Sequence, residues 1–311
     1  MKSADYCPIC ESNEVMPHRV CRDRRRGLPG QWSFWECARC SVLFQNPLPS
    51  NAELRAFYAD YSKASDVPVE PSLNSTHDSL RRLYHKFTGD VDPRDFIPAA
   101  AGDRVLDYGC GVAPYLVHFR SHGVLVSGAE ITSAVVDRYR TLGFDVRQID
   151  RPEKLPYTDS EFDIVYMMQV LEHVARPHEL LREVHRVLKP GGVLYTAVPN
   201  ANSLWRKVFA ADWVSGWFAP FHIYAYSREP LRVLAAANGF KIIRCWASTP
   251  ESWFRLNLKA RLHPSQNKLD DLQSGWLDLR AVRIALAAGI RLVELFTSEH
   301  DCLVTMLQKA C

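Results

Sequence analysis

Val105-Leu106-Asp107-Tyr108-Gly109-Cys110-Gly111-Val112-Ala113-Pro114 is the stretch whose reading decides the fold. An apolar, β-branched run reaches an acid, a Gly-x-Gly turn follows, and Tyr115-Leu116-Val117-His118-Phe119 becomes apolar again. This is the pattern of a buried strand, a tight turn and a helix N-terminus, by which α/β proteins bring main chain against a nucleotide-like ligand. Glycine suits the turn because a Cβ would block both the backbone angles and the approach of a ligand. A lone Gly-x-Gly is a weak signal, so its weight comes from the surrounding chain.

Outward from that turn, strand and helix patterns alternate. Strands are predicted at Arg104–Tyr108, Val124–Glu130, Asp145–Ile149, Phe162–Met168 and Val193–Val198, with helices at Pro114–Ser121, Ser133–Leu142 and His178–Leu188. Short apolar strands alternating with amphipathic helices imply a parallel sheet covered on both faces. A helix near Arg228–Asn238, a strand at Phe240–Trp246 and a last strand at Asp301–Leu307 complete a doubly wound, mostly parallel α/β sheet of seven strands. The insert at 251–299 is too long for an ordinary loop. It should be mostly helical: in Trp276–Phe296 the polar Arg280, Arg283, Arg291 and Glu294 fall near one face and leave a broad apolar remainder. That remainder is expected to pack on the domain, with a lid, a dimer contact or weak membrane-surface contact as alternatives.

The 311 residues are 47% hydrophobic and 23% charged, the composition of a globular protein with a real core. A net charge of +3 does not by itself call for nucleic acid. The start, Met1-Lys2-Ser3-Ala4-Asp5, has no apolar signal core and no run approaches a membrane span, so a cytoplasmic location is expected. In a reducing compartment the nine cysteines point to metal wherever their spacing is regular. Cys7-Pro8-Ile9-Cys10 and Cys37-Ala38-Arg39-Cys40 supply four thiolates, which suits tetrahedral structural zinc, and the pair resembles a zinc ribbon over residues 1–48. Cys21 or His18 could stand in for one ligand. Asn46-Pro47-Leu48-Pro49-Ser50 marks a boundary. Segment 49–98 then reads as a helical linker or lid, with helices near Ser50 and at Asp78–Phe87 and a mobile polar loop at 62–76; the main domain occupies 99–311.

Two further strand ends carry acids. Glu130 can accept hydrogen bonds from the ribose hydroxyls of a nucleoside cofactor, and Asp150 can reach an adenine amino group. Gln169-Val170-Leu171-Glu172-His173-Val174 follows the fourth strand, and Leu188-Lys189-Pro190-Gly191-Gly192 leads into the fifth. In this order and spacing the chain resembles the class I S-adenosylmethionine-dependent methyltransferases, on VLDYGCG, the GAE strand end, FDIVYMMQVLEHV, VLKPGGVLYTAVPN and PFHIYAYS-REPLRVLAAANGF. The resemblance covers residues 80–311. With the ribbon and LFQNPLPS before the core, it extends to a bacterial subfamily associated with glycan, nucleotide-sugar and secondary-metabolite modification. Tyr108, Val112 and Ala225 depart from the family pattern, the last standing where a second histidine is common.

The resemblance implies roles by position. Gly109, Cys110 and Gly111 would pass along the methionine part of S-adenosylmethionine, with Asp107 near its amino group and Tyr108 crowding the methionyl end. Glu130 would hold the ribose, Ile131 and Asp150 the adenine, and Met168 and Gln169 the wall after the fourth strand. Methyl transfer needs a nucleophile placed in line with an activated methyl group, and a hydroxyl or carbon acceptor also needs a general base. His222, in an aromatic loop after the fifth strand, is the first candidate, because its neighbours could keep it neutral near pH 7. His173 is the second, with a packing role as the alternative.

The expected function is methyl transfer to a small molecule, a hydroxyl or carbon of a sugar, glycan or secondary metabolite. An RNA methyltransferase is a second reading, from Arg22, Arg24, Arg25 and Arg26 between the knuckles, but no aromatic and basic interleaving extends along the chain as a nucleic-acid track requires. A noncatalytic binding or assembly protein that keeps the fold is a third, against which the intact acid and glycine set speaks.

Overall fold

The computed structural model describes residues 5–50, 52–54, 56–57, 75–112, 115–273 and 275–310. The loop expected at 62–76 lies almost wholly outside the described residues, as do Ala113 and Pro114 of the opening stretch.

The main sheet runs β10-β11-β8-β7-β4-β5-β6. Its strands are β4 (Arg104–Tyr108), β5 (Leu125–Glu130), β6 (Asp145–Gln148), β7 (Phe162–Met168), β8 (Leu188–Pro199), β10 (Phe240–Ser248) and β11 (Cys302–Lys309). The five strands from β8 to β6 are mutually parallel, and β11 inserts antiparallel between β8 and β10. The seven-stranded, mostly parallel sheet read from the sequence is therefore present. β4 lies between β5 and β7, so the strand order reverses beside it and a crevice opens at its carboxyl end, where ligands of open α/β sheets bind.

Burial explains the strands: Val105, Leu106, Asp107 and Tyr108 are all buried, as expected where helices cover both faces. Pro177–Val187 is the helix leading into β8. Proline stands at its first position, and Leu180, Leu181, Val184 and Val187 form one buried stripe. Ser50 and Glu53 form the expected capping box, the Ser50 hydroxyl accepting from Glu53 N and donating to the Glu53 carboxylate.

The N-terminal strands β1 (Val15–Cys21), β2 (Trp32–Cys37) and β3 (Leu43–Gln45) form a second sheet with β9 (Tyr224–Ala225). Leu43 pairs with Ala225 and Phe44 with Tyr224. The ribbon is thus continued by a strand from the main domain, which the boundary at residue 48 did not anticipate. Ala225, the departure from the family pattern, is fully buried in that pairing.

The insert holds two helices, at Glu251–Leu262 and Arg280–Glu294, with a short 3₁₀ turn at Gly275–Asp278, mostly helical as expected. The expectation that its apolar face packs on the domain holds in part, since Ala287 and Ile290 are buried. Arg291 also donates to the Thr249 carbonyl, Glu294 accepts from Thr249 N, and Arg283 pairs with Glu251, so charged side chains share the inward face. Leu295 and Phe296 stand 77% and 84% exposed. Backbone groups at the end of β10 need partners and recruit the charges, which moment-based reading cannot see.

Candidate functional site

The turn after β4 is built for close approach. Gly109 and Gly111 have φ of +76° and +51°, a region side chains rarely adopt. A Cβ on Gly109 would stand 2.7 Å from the Val170 Cγ2 atom. Gly109 N donates to the Ala129 carbonyl at 2.8 Å, tying the turn to the end of β5.

Glu130 closes the other side. Its Oε2 accepts from Gly111 N at 3.0 Å, and its Oε1 from Ile131 N and Thr132 N at 2.8 and 2.9 Å. Three of roughly four acceptor positions on the carboxylate are filled, leaving about one for an incoming hydroxyl. Among the described residues, the hydrogen bonds that fix this side chain all come from main chain.

Asp107 is buried, and its Oδ2 has no hydrogen-bond partner. Burial pushes its carboxyl from 3.8 up to about 8, with the nearby Tyr166 hydroxyl pulling the other way and Glu130 adding repulsion. A buried acceptor with an unused lone pair beside a glycine cradle fits an incoming ammonium group. The residues present match the cofactor the sequence implied.

Tyr108 is buried, and its hydroxyl donates to the Pro152 carbonyl. It therefore steadies the loop that carries the exposed Asp150. Ile131 is half-buried against the core, and Gln148 reaches its carbonyl at 3.3 Å. Cys110 is packed inside, in the cluster of Leu116 and Tyr139. Met168 ends β7 half-buried, and Gln169 follows with φ +57°, which turns its amide toward the Cys302 sulfur at 3.4 Å. A non-glycine residue in that region marks a place where the chain is re-aimed at some cost.

The structure brings His173 and His222 together. Their rings meet edge to face at 4.7 Å. His173 Nδ1 lies 2.9 Å from the Phe221 carbonyl and His222 Nδ1 2.9 Å from the Gly216 carbonyl. Carbonyl oxygens only accept, so each Nδ1 carries the hydrogen and each Nε2 the lone pair. Burial lowers His173 to about 4 and His222 well below its ordinary value, so both rings are neutral at pH 7. His222 is 5% exposed, deeper than a loop position suggested. The loop is pinned from outside: Gln45 donates to the Pro220 and His222 carbonyls, and Ile223 N donates to the Glu172 carbonyl. Arg25 lies over the Phe218 ring at 4.0 Å.

Gln45 and Glu172 are the residues sequence reasoning missed or discounted. Glu172 shares the capping or packing alternative of its neighbour His173, yet neither carboxylate oxygen has a hydrogen-bond partner. Its place directly before His173, in a motif following a parallel strand, was the available signal. Gln45 had none, because its partners lie 175 residues away.

At the N-terminus Cys7, Cys10, Cys37 and Cys40 converge. The Cys7–Cys40 and Cys10–Cys37 sulfurs are 3.7 and 3.5 Å apart. A tetrahedron with Zn–S of about 2.3 Å has edges of about 3.8 Å, so the cluster is compatible with zinc. Cys21 is buried with Phe34 and Trp217, and His18 bonds Glu36 at 3.0 Å, so neither belongs to the set.

Sheet order, glycine turn and strand-end acids together define a Rossmann-like class I methyltransferase fold. The chain belongs to the methyltransferase-domain family, whose pattern matches residues 77–244. It is similar to the ubiquinone biosynthesis O-methyltransferase of Maricaulis maris (strain MCS10), 35% identical over 127 residues, 37% of this chain and 49% of that one. It is also similar to the 27-O-demethylrifamycin SV methyltransferase of Amycolatopsis mediterranei (strain S699), 34% identical over 106 residues, 32% and 39% of the two chains. A longer match joins it to the ubiquinone/menaquinone biosynthesis C-methyltransferase UbiE of Azotobacter vinelandii, 29% identical over 211 residues, 63% of this chain and 72% of that one. The chain spans about half the length, or less, of the first two relatives. In fold it resembles a chain from a complex with the Haloferax volcanii Trm112 methyltransferase activator, with a TM-score of 0.50, 19% identity, and coverage of 83% and 98%. Among the described residues no helix is long and apolar enough to cross a membrane.

Proposed function

We propose that this chain transfers a methyl group from S-adenosylmethionine to a hydroxyl or carbon of a small molecule, such as a sugar, glycan or secondary metabolite, inside the cell. The observation that carries the reading is the turn itself: a Cβ-free backbone cradle flanked by a buried, unpartnered Asp107 oxygen and a main-chain-oriented Glu130. The similarity to both O- and C-methyltransferases supports either kind of acceptor atom.

When bound, the cofactor supplies a sulfonium-activated methyl group. Asp107 would take its ammonium, which would restore the carboxylate that burial disfavours. Glu130 would accept a ribose hydroxyl at its remaining position, Ile131 and Asp150 would border the adenine, and Gly109–Gly111, Met168 and Gln169 would line the methionyl end. His222, with His173 against it, would remove the acceptor's proton at Nε2, since both Nδ1 atoms are committed to backbone carbonyls. The rings' neutrality at pH 7 leaves that nitrogen unprotonated and able to accept a proton, and their aromatic surroundings keep water out. The four cysteines would hold structural zinc, so that β3 can buttress the histidine loop through Gln45.

Labelled-methyl transfer to a panel of nucleotide sugars, glycans, quinone-type phenols and RNA tests the reading. Label entering a small molecule supports it; label entering only RNA favours the nucleic-acid reading. Failure of S-adenosylmethionine to bind in calorimetry would sink every catalytic version.

A further inference from the structure

Glu172 presents a chemical problem that proton abstraction by histidine does not solve. Its side chain is 0% exposed, and both carboxylate oxygens lack a hydrogen-bond partner. Buried polar atoms are satisfied as a rule, and an exception in a functional region points to an ion or water that completes it. The donors around it form a pattern. His222 Nε2 stands 4.0 Å from Glu172 Oε1, and one ligand atom each from Glu172, His173 and His222 lie within 4.8 Å of one another.

Both imidazoles make the second hydrogen bond that metal-ligating histidines make. In such sites the second ring nitrogen usually donates to a carbonyl or carboxylate, which fixes the tautomer and aims the other lone pair at the ion. Here Phe221 O and Gly216 O accept from the Nδ1 atoms of His173 and His222, and His222 presents its Nε2 to Glu172. Their loop is held in turn by Gln45 and by the Ile223 N–Glu172 O bond. Two nitrogens and one carboxylate suit zinc or iron(II) better than magnesium or calcium, which prefer all-oxygen shells. Ligands about 2.1 Å from a tetrahedral ion lie about 3.4 Å apart, so the Glu172 side chain has to swing inward by roughly 1 Å.

We propose that Glu172, His173 and His222 form a second metal site, separate from the cysteine cluster, that takes one divalent transition-metal ion, zinc or iron(II). Half-buried His173 is the most accessible of the three, so the remaining coordination position lies on its side, at the carboxyl edge of the sheet. The ion's role rests on the methyltransferase reading and would replace its histidine-base step: with an ion there the histidines would be ligands, and the ion would lower the pKa of a ligated acceptor hydroxyl so that its proton passes to solvent. Ion binding itself does not depend on that reading.

Elemental analysis of the full-length protein, loaded anaerobically with zinc or iron(II) and desalted, tests the proposal. Wild type is expected to hold two equivalents, of which a thiol-blocking reagent releases only the cysteine-bound one. Glu172→Gln, close in size, should lose one equivalent and keep the thiol-releasable one; His222→Gln provides the same comparison if the first variant does not fold. With cobalt(II), the thiol-resistant ion should show weak visible bands without sulfur charge transfer. A single equivalent in wild type with either metal, all of it released by the thiol reagent, overturns the site. Calorimetry with S-adenosylmethionine on the same samples separates the two readings. Cofactor binding with one equivalent removes only the metal site, whereas two equivalents without cofactor binding removes only the methyltransferase reading.

Discussion

The glycine turn after β4 and the histidine loop before β9 face the same carboxyl edge of the sheet, yet they are built in opposite ways. The turn is five consecutive residues whose backbone does most of the work, tied to the end of β5 and packed against Val170. The loop acts through side chains, and its geometry is imposed by Gln45 from the ribbon and Glu172 from after β7. A turn of the first kind survives transplantation between proteins. A loop of the second kind exists only in its own fold.

The sharpest way to break the comparison is to remove what supports the loop and leave the turn alone. Structural zinc sites contribute on the order of 10 kcal/mol of folding free energy, so chelating the cysteine-bound ion should unravel the ribbon and lower the melting temperature steeply. An unchanged melt would show that the cysteines are not structural. In His222→Ala, methyl transfer should fall by about 10²–10⁴-fold while S-adenosylmethionine affinity changes little. Parallel loss of both, read by radiolabel and calorimetry, would make the histidine a fold element only.

The turn should show the reverse pattern. Gly109→Val adds a Cβ at positive φ against Val170, and cofactor affinity should drop about 100-fold, consistent with strain of 1–3 kcal/mol, without exposing the histidine loop to proteolysis. Smallest is the pH effect at Asp107. Its folded pKa is raised from 3.8 to about 8, so the cofactor-free protein binds that proton more tightly folded than unfolded. Its stability should therefore decline as pH rises from about 4 to about 8. An ammonium partner favours the carboxylate, so binding below pH 8 should release a proton, measurable by calorimetry in buffers of different ionisation enthalpy. Asp107→Asn should abolish that release; its persistence would assign the proton elsewhere.

Much of the turn was legible because local rules govern it. Arg104–Tyr108 and Phe162–Met168 were bounded correctly from apolar runs and glycine punctuation, and the cysteine set followed from knuckle spacing alone. The loop was legible only in composition. Aromatic neighbours suggested a desolvated His222, but not that His173 lies against it across 49 positions, nor that Glu172 sits beneath with no partner. The insert was legible in part: Ala287 and Ile290 are buried as its apolar pattern implies, but Arg291 and Glu294 of its charged stripe also serve backbone groups at Thr249.

Strand periodicity, glycine placement and thiol spacing are short-range properties of covalent geometry and hydration, so the chain alone determined the parallel sheet, the cofactor-type turn and the cysteine tetrad. Which face of the insert turns inward, where β9 finds its partner and which donors surround Glu172 depend on contacts between residues tens to hundreds of positions apart. Those contacts come into being only when the two sheets pack, and the tertiary structure alone decided them.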